Sequence, residues 1–405
     1  MAKIAFFTES LPPRDDLISD FAYDLVCNLA DQQHEITIFS TFRNGDLLPS
    51  SRPRIEILRP FKKWSWLELP RLIPILTQLR PDVLHIIQPR AEALEGLTNA
   101  MNAIPGFAPL IGRPALVSSF YDLRKETLKA QRFLLHSSDA VTVTNRSQLE
   151  ILQNYFLQKS PLIELLPVPG FRAPEDDFGK GAEIESEPEP EFVSSFLSRS
   201  HPNNKLIFVP GEIDEHGDLD ALFSNLATAL TEFPEALLIF GGGWGKIPPK
   251  RRHSLMRAFS TPELGGRVLI SGYLKPATER MILNNAEVVF VASLPNESLR
   301  LSRILREALV LASVLVMGDE QAKLDSLSWQ NQEHAFIANS VTSHPQNWFK
   351  ALREALSNEA IVTKIRQNLP EFARLEVLDR PGNVMSRIYT QILGQKRFAH
   401  HPRAF

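Results

Sequence analysis

Residues 292–319, ASLPNESLRLSRILREALVLASVLVMGD, join a helical pattern to a short apolar run and close on a Gly-Asp turn signal. Ser302 to Leu311 has helical spacing, and Ser313 to Met317 reads as a strand. A short apolar strand after a helix, repeated along a chain, predicts a parallel sheet with helices on both faces. That unit recurs here. In the first half, strands are expected at Lys3–Phe7, Glu35–Phe39, Arg54–Leu58, Val83–Ile87, Pro114–Phe120 and Asp139–Thr144, with an extended segment at Leu162–Val168. Helices are expected at Leu17–Asp31, Trp64–Leu79 (with proline breaks), Ala91–Ala103 and Arg146–Phe156.

The second half repeats the scheme. Its strands are Lys205–Val209, Ala236–Phe240, Arg267–Ser271, Glu287–Ala292, Ser313–Met317 and Ala335–Ala338. Its helices are Asp218–Phe233, Pro249–Phe259, Thr278–Asn284, Ser302–Leu311, Pro345–Ser357, Glu359–Gln367 and Pro381–Leu393. Between the halves, Arg172 to Asn204 changes character. Glu175 to Glu191 is strongly acidic and almost free of large apolar residues, so it reads as a solvated insertion. An acidic docking segment for a basic protein partner is the alternative. Phe192 to Arg199 reads as a short helix.

With 405 residues, the chain exceeds one average domain. A net charge of -3 gives no global field toward nucleic acid or anionic lipid. One cysteine, Cys27, excludes an internal disulfide and a multi-cysteine zinc site; it lies on an apolar helix stripe and reads as core. The N-terminal apolar run is shorter than a secretory signal needs. The longest apolar run, Ala308 to Met317, is too short to span a bilayer. A cytoplasmic location is therefore expected, with no transmembrane segment and no nucleic-acid partner.

The order of motifs resembles family 4 of the retaining glycosyltransferases, enzymes of the GT-B fold. Gln32 to Phe39 (QQHEITIF) looks like the family's step from a Gly-His-Glu turn into the second strand. Arg80 to Ile86 (RPDVLHI) is similar to its Pro-Asp-Val-Val-His strand, and Ser137 to Thr144 (SSDAVTVT) to a later strand. Leu206 to Ile213, Ala236 to Gly243, Arg267 to Tyr273, Asn285 to Ser293 and Glu307 to Leu309 follow in the family's order. The resemblance covers nearly the whole chain. It implies an α/β protein of two Rossmann-like domains with an interdomain cleft. The domains are residues 1–172 (acceptor side) and 205–380 (donor side), joined by an acidic segment at 173–204. A helix at 381–395 returns to the first domain, and 396–405 form a tail.

The resemblance also implies roles. Glu307 accepts from a donor ribose hydroxyl. Gly211, Glu212, His216, Gly241, Gly242, Gly243, Gly272, Tyr273, Glu297 and Arg300 line the donor, and Asp122 and Tyr121 face the acceptor. The ligand would be a nucleotide diphosphate or nucleotide sugar, with no metal and no other cofactor. Several motif positions depart from the family. The loop Pro12 to Ser19 has no glycine, and Asp15 and Asp16 stand there. Tyr121-Asp122 replaces a histidine-aspartate pair. Glu212 and His216 stand where an arginine and a lysine bind phosphate. Eight residues before Glu307 is Leu299, and the nearby acid is Glu297.

Arg300, Arg303 and Arg306 recur every three residues. They read as a replacement cation set for phosphate, or as a solvated basic face, which general surface statistics favour. Weaker signals have structural readings. Residues 241–246 (GGGWGK) lack the spacing and the Ser or Thr of a phosphate loop. Asp218 and Asp220 open a helix and read as capping. Lys250, Arg251 and Arg252 read as a solvated helix face. His400-His401 reads as a chain end rather than a metal site. Two functions follow: transfer of a sugar from a nucleotide-sugar donor to an unidentified acceptor, or a catalytically degenerate GT-B protein kept for binding or scaffolding. A partner-binding role of the acidic segment is a third.

Overall fold

The computed structural model describes residues 1–9, 11, 17–41, 54–61, 64–65, 69–87, 114–121, 123, 128–129, 131–156, 161–166, 168, 191–198, 204–211, 213, 219–245, 247–272, 274, 276–291, 298–325, 327–338, 345–376 and 381–400. The helix expected at 91–103, the loop at 12–16 and the acidic residues 175–190 lie outside them. The chain divides into two compact units. The first is Met1–Gly179 with Asp379–Phe405, and the second is Lys180–Leu378.

The first unit holds a seven-stranded parallel sheet of order β3-β2-β1-β4-β5-β6-β7. Its strands are β1 (Lys3–Phe7), β2 (Glu35–Thr41), β3 (Ile55–Phe61), β4 (Val83–Ile87), β5 (Ala115–Phe120), β6 (Ala140–Val143) and β7 (Leu162–Leu165). Its helices are α1 (Leu17–Asp31), α2 (Leu69–Leu79), α3 (Arg132–Ser137) and α4 (Arg146–Tyr155). Cys27 is buried on α1. Strand order reverses between β1 and β4, the switch point of a doubly wound sheet.

The second unit begins with α5 (Glu191–Ser198) and carries a six-stranded parallel sheet of order β10-β9-β8-β11-β12-β13. The strands are β8 (Lys205–Pro210), β9 (Ala236–Gly241), β10 (Val268–Ile270), β11 (Val288–Val291), β12 (Val314–Gly318) and β13 (Phe336–Ala338). The helices are α6 (Leu219–Glu232), α7 (Pro249–Met256), α8 (Pro276–Asn285), α9 (Ser298–Val310), α10 (Asp319–Leu324), α11 (Pro345–Ser357) and α12 (Glu359–Glu376). The switch point falls between β8 and β11, where Val288 and Val289 pair with Ile207 and Phe208. The core sits between this sheet and its helices, with β11 and β12 wholly buried.

Several boundaries differ from the sequence reading. Helix α9 starts at Ser298, four residues before Ser302, and α12 continues past Gln367 and through Pro370 to Glu376. The last helix, α13 (Pro381–His400), extends beyond residue 395, so the tail expected from 396 is helical through His400. Helix α13 packs on α1 and the first sheet. His34 Nε2 lies 2.9 Å from Ser386 Oγ, and Lys396 Nζ lies 2.9 Å from Asp139 Oδ2 and 3.0 Å from the Pro114 carbonyl.

Helix α9 ends in a Schellman closure. The Ser313 amide donates to the Ala308 carbonyl at 2.8 Å and the Ala312 amide to Leu309 at 3.3 Å, around Ala312 at φ 53°. Helix α1 ends the same way around Gln33, at φ 70°.

Candidate functional site

Ligands of doubly wound sheets bind outside the carboxyl ends of strands, at the switch point. In the second unit, the described residues at that edge follow β8, β9 and β10. Gly211 follows β8 at φ 93° and Gly272 follows β10 at φ 72°, so both turns use the left-handed region that glycine permits. Beyond Gly211, the Ile213 amide donates to the Gly243 carbonyl and the Gly245 amide to the Ile213 carbonyl, at 3.0 and 2.9 Å. These bonds tie the loop after β8 to the loop after β9.

The three glycines after β9 are not equivalent. A β-carbon on Gly241 would lie 2.4 Å from the Phe208 ring of β8, so this glycine makes room for core packing. Gly242 is buried. A β-carbon on Gly243 would meet nothing closer than 4.0 Å, and one on Gly272 nothing within 4 Å. The open backbone is therefore at Gly243 and Gly272.

Helices α8 and α9 pack side by side, and α8 also packs on β8, next to the switch point. Glu307 lies in this seam. It is the tenth residue of α9, about 14 Å along the axis from the helix start at 1.5 Å per residue. Its side chain is 2% exposed, and Oε2 lies 3.5 Å from Nε of Arg280 on α8. The Arg280 side chain is 39% exposed.

The arginine triplet splits. Arg306 is buried, and its guanidinium grips Asp325, with Nη1 to Oδ2 at 2.9 Å and Nη2 to Oδ1 at 3.3 Å. Asp325 also accepts from the Trp329 indole N–H at 2.8 Å. Arg303 is buried as well. The solvated basic face expected of this triplet is therefore wrong for Arg303 and Arg306. They face the protein interior, because α9 turns that side toward the segment after α10. Arg300 lies in the first turn of α9.

The other sequence candidates are distributed as follows. Tyr121 follows β5 in the first unit; it is 1% exposed, with its ring edge-on to Phe21 at 4.6 Å. Burial pushes its hydroxyl well above the usual tyrosine value, with a further contribution from Tyr389. Asp122, Glu212, His216, Tyr273 and Glu297 lie outside the described residues. Asp220 forms an ion pair with Arg251, while Arg252 donates to the Ile247 carbonyl at 2.7 Å. The basic turn of α7 is thus partly engaged by its own unit. Among the described residues, no three His, Cys, Asp or Glu side chains converge as a metal site. None of the described helices is long and apolar enough to cross a membrane.

The sequence reading missed two buried polar systems. One is Arg306–Asp325–Trp329. The other crosses the first sheet: His85 Nδ1 lies 2.6 Å from the Tyr389 hydroxyl and Nε2 lies 2.7 Å from Ser119 Oγ, which is 2.6 Å from Thr142 Oγ1. Burial lowers the His85 pKa to about 3, so the ring is neutral. A histidine inside an apolar strand is the available signal for this system. Nothing in the sequence points to Arg280, whose partner is on the next helix.

No protein-family model matches the chain, and no curated protein matches it. Solved structures do. A glycosyltransferase from Rickettsia africae ESF-5 aligns over 96% of this chain and 98% of its own, at 13% identity and TM-score 0.65. HepE of Anabaena, solved in complex with UDP, aligns over 96% and 100%, at 12% identity and TM-score 0.65. WaaG, a glycosyltransferase involved in lipopolysaccharide biosynthesis, aligns over 96% and 99%, at 13% identity and TM-score 0.54. The chain shares the GT-B fold with these proteins.

Proposed function

We propose that this protein binds a nucleotide diphosphate or nucleotide sugar at the carboxyl edge of its second sheet and transfers the sugar to an acceptor. The observation that carries this is the near-complete alignment with a GT-B structure that holds UDP. Three features of the second unit support it: a doubly wound sheet, open glycine backbone at Gly243 and Gly272, and a buried carboxylate, Glu307, in the helical seam beside the switch point. A carboxylate there suits a ribose hydroxyl, which donates to a charged acceptor more strongly than to a neutral one. Gly211 at its left-handed turn suits close approach of backbone to a ligand.

A binding protein of the same fold, without transfer, is the second reading. What favours it is a sequence that has Glu212 and His216 in place of phosphate-binding cations. Calorimetric titration with a panel of nucleotide diphosphates and nucleotide sugars tests the first reading, with Glu307→Ala in parallel. Binding that this substitution weakens supports the donor site, and release of free nucleotide diphosphate on adding acceptors separates transfer from binding. A folded protein that binds none of the panel rules out the first reading and leaves the second.

A further inference from the structure

We propose that Arg280 supplies the positive charge for the diphosphate of the bound nucleotide, with Glu307 aiming its guanidinium; this rests on the nucleotide-binding reading above. A diphosphate brings two or more negative charges, and a site for it needs donors of positive charge. Along α8 and α9, Arg306 is consumed by Asp325 and is buried. Arg303 is buried too. Arg280 combines an ion pair to a buried carboxylate with a side chain that is 39% exposed.

The geometry of the contact matters. The Arg280 nitrogen nearest Glu307 is Nε, and the planar guanidinium carries two terminal nitrogens in the fork geometry that pairs with phosphate oxygens. Arg280 is the fifth residue of α8, about 6 Å from the helix start, and helical side chains lean toward the N-terminus. Helix α8 enters from the carboxyl end of β10, so that lean carries the guanidinium toward the ligand edge of the sheet. Helix α8 also rests on β8, at the strand pair where the order reverses. A guanidinium beside a buried carboxylate loses less freedom on binding than an isolated surface arginine.

The test is UDP affinity at low and high salt, by calorimetry, for wild type, Arg280→Gln and Arg280→Lys. The expected result is a loss of about 10- to 100-fold for Arg280→Gln, the value of a charge-assisted pair, with a shallower salt dependence than wild type. Arg280→Lys keeps the charge and loses the fork, so it falls between. An Arg280→Gln protein that matches wild type in affinity and salt dependence overturns the proposal while leaving the nucleotide reading intact. If Arg280→Gln does not fold, Arg280→Lys decides: unchanged affinity overturns the proposal, and a several-fold loss with an unchanged melting temperature supports it. A wild-type protein that does not bind UDP removes the nucleotide reading and this inference with it.

Discussion

Gly382 of α13 lies against Asn28 of α1, so close that a β-carbon on Gly382 would sit 2.7 Å from the Asn28 β-carbon and 3.1 Å from its carbonyl carbon. The approach joins residues that lie 354 positions apart in the chain. Gly382→Ala should therefore destabilise the first unit. Overpacking costs about 1–3 kcal/mol, against a helical gain of about 1 kcal/mol for Ala over Gly. Gly394→Ala in the same helix meets nothing within 4 Å and should stabilise by about 0.5–1 kcal/mol. Urea unfolding of the two variants checks the opposite signs.

Ala312 closes α9 in the left-handed region, a position that favours glycine. Ala312→Gly should relieve that strain and stabilise the second unit by about 1 kcal/mol, read as a higher melting temperature. The Schellman bonds from Ser313 and Ala312 should be unchanged by it.

His85 is neutral in the fold, with its pKa lowered from 6.5 to about 3 by burial. A histidine with a depressed folded pKa contributes stability that is whole above the unfolded value. That stability is lost as pH falls from about 6.5 toward about 3, by up to about 1.4 kcal/mol per pH unit. His34, also lowered by burial, acts in the same direction. The slope of unfolding free energy against pH should be smaller in His85→Asn than in wild type across that window.

Asp325 neutralises a buried guanidinium. Asp325→Ala removes the carboxylate that the buried Arg306 guanidinium grips, a cost of about 3–5 kcal/mol. The double replacement Arg306→Met with Asp325→Leu should recover most of it, since apolar pairs replace buried ion pairs with little loss. The remaining deficit includes the indole N–H of Trp329, about 1–3 kcal/mol, and the Leu327 amide, which donates to the same oxygen. Comparing the single and double variants by denaturant unfolding separates the pair from the cost of breaking it.

The strands were readable because their inward faces are continuous apolar runs: KIAFF, VLHII and VLVMG stand out without any partner in view. Short or polar elements were not. Helix α3 is six residues without a side-chain cap, and α10 is DEQAKL, which carries no apolar stripe. The start of α9 was hidden because its first turn, Ser298 to Leu301, lacks an acidic residue. For the site, the limit was distance along the chain. Arg303 and Arg306 have the spacing of a surface stripe, and only Asp325, 19 residues on, shows that Arg306 faces inward. Arg280 and Glu307 lie 27 positions apart on separate helices, so their contact is a property of packing. The residues that carry the GT-B resemblance were legible because they are mainly strand cores and helix ends.

Hydrogen exchange of the backbone, with and without UDP, reports where the nucleotide sits. A nucleotide at the carboxyl edge of the second sheet slows exchange in segments after β8 and β10, around Gly211 and Gly272, and at the start of α9, with β1 to β7 unchanged. Protection confined to the first unit, or no protection at saturating UDP, would contradict it.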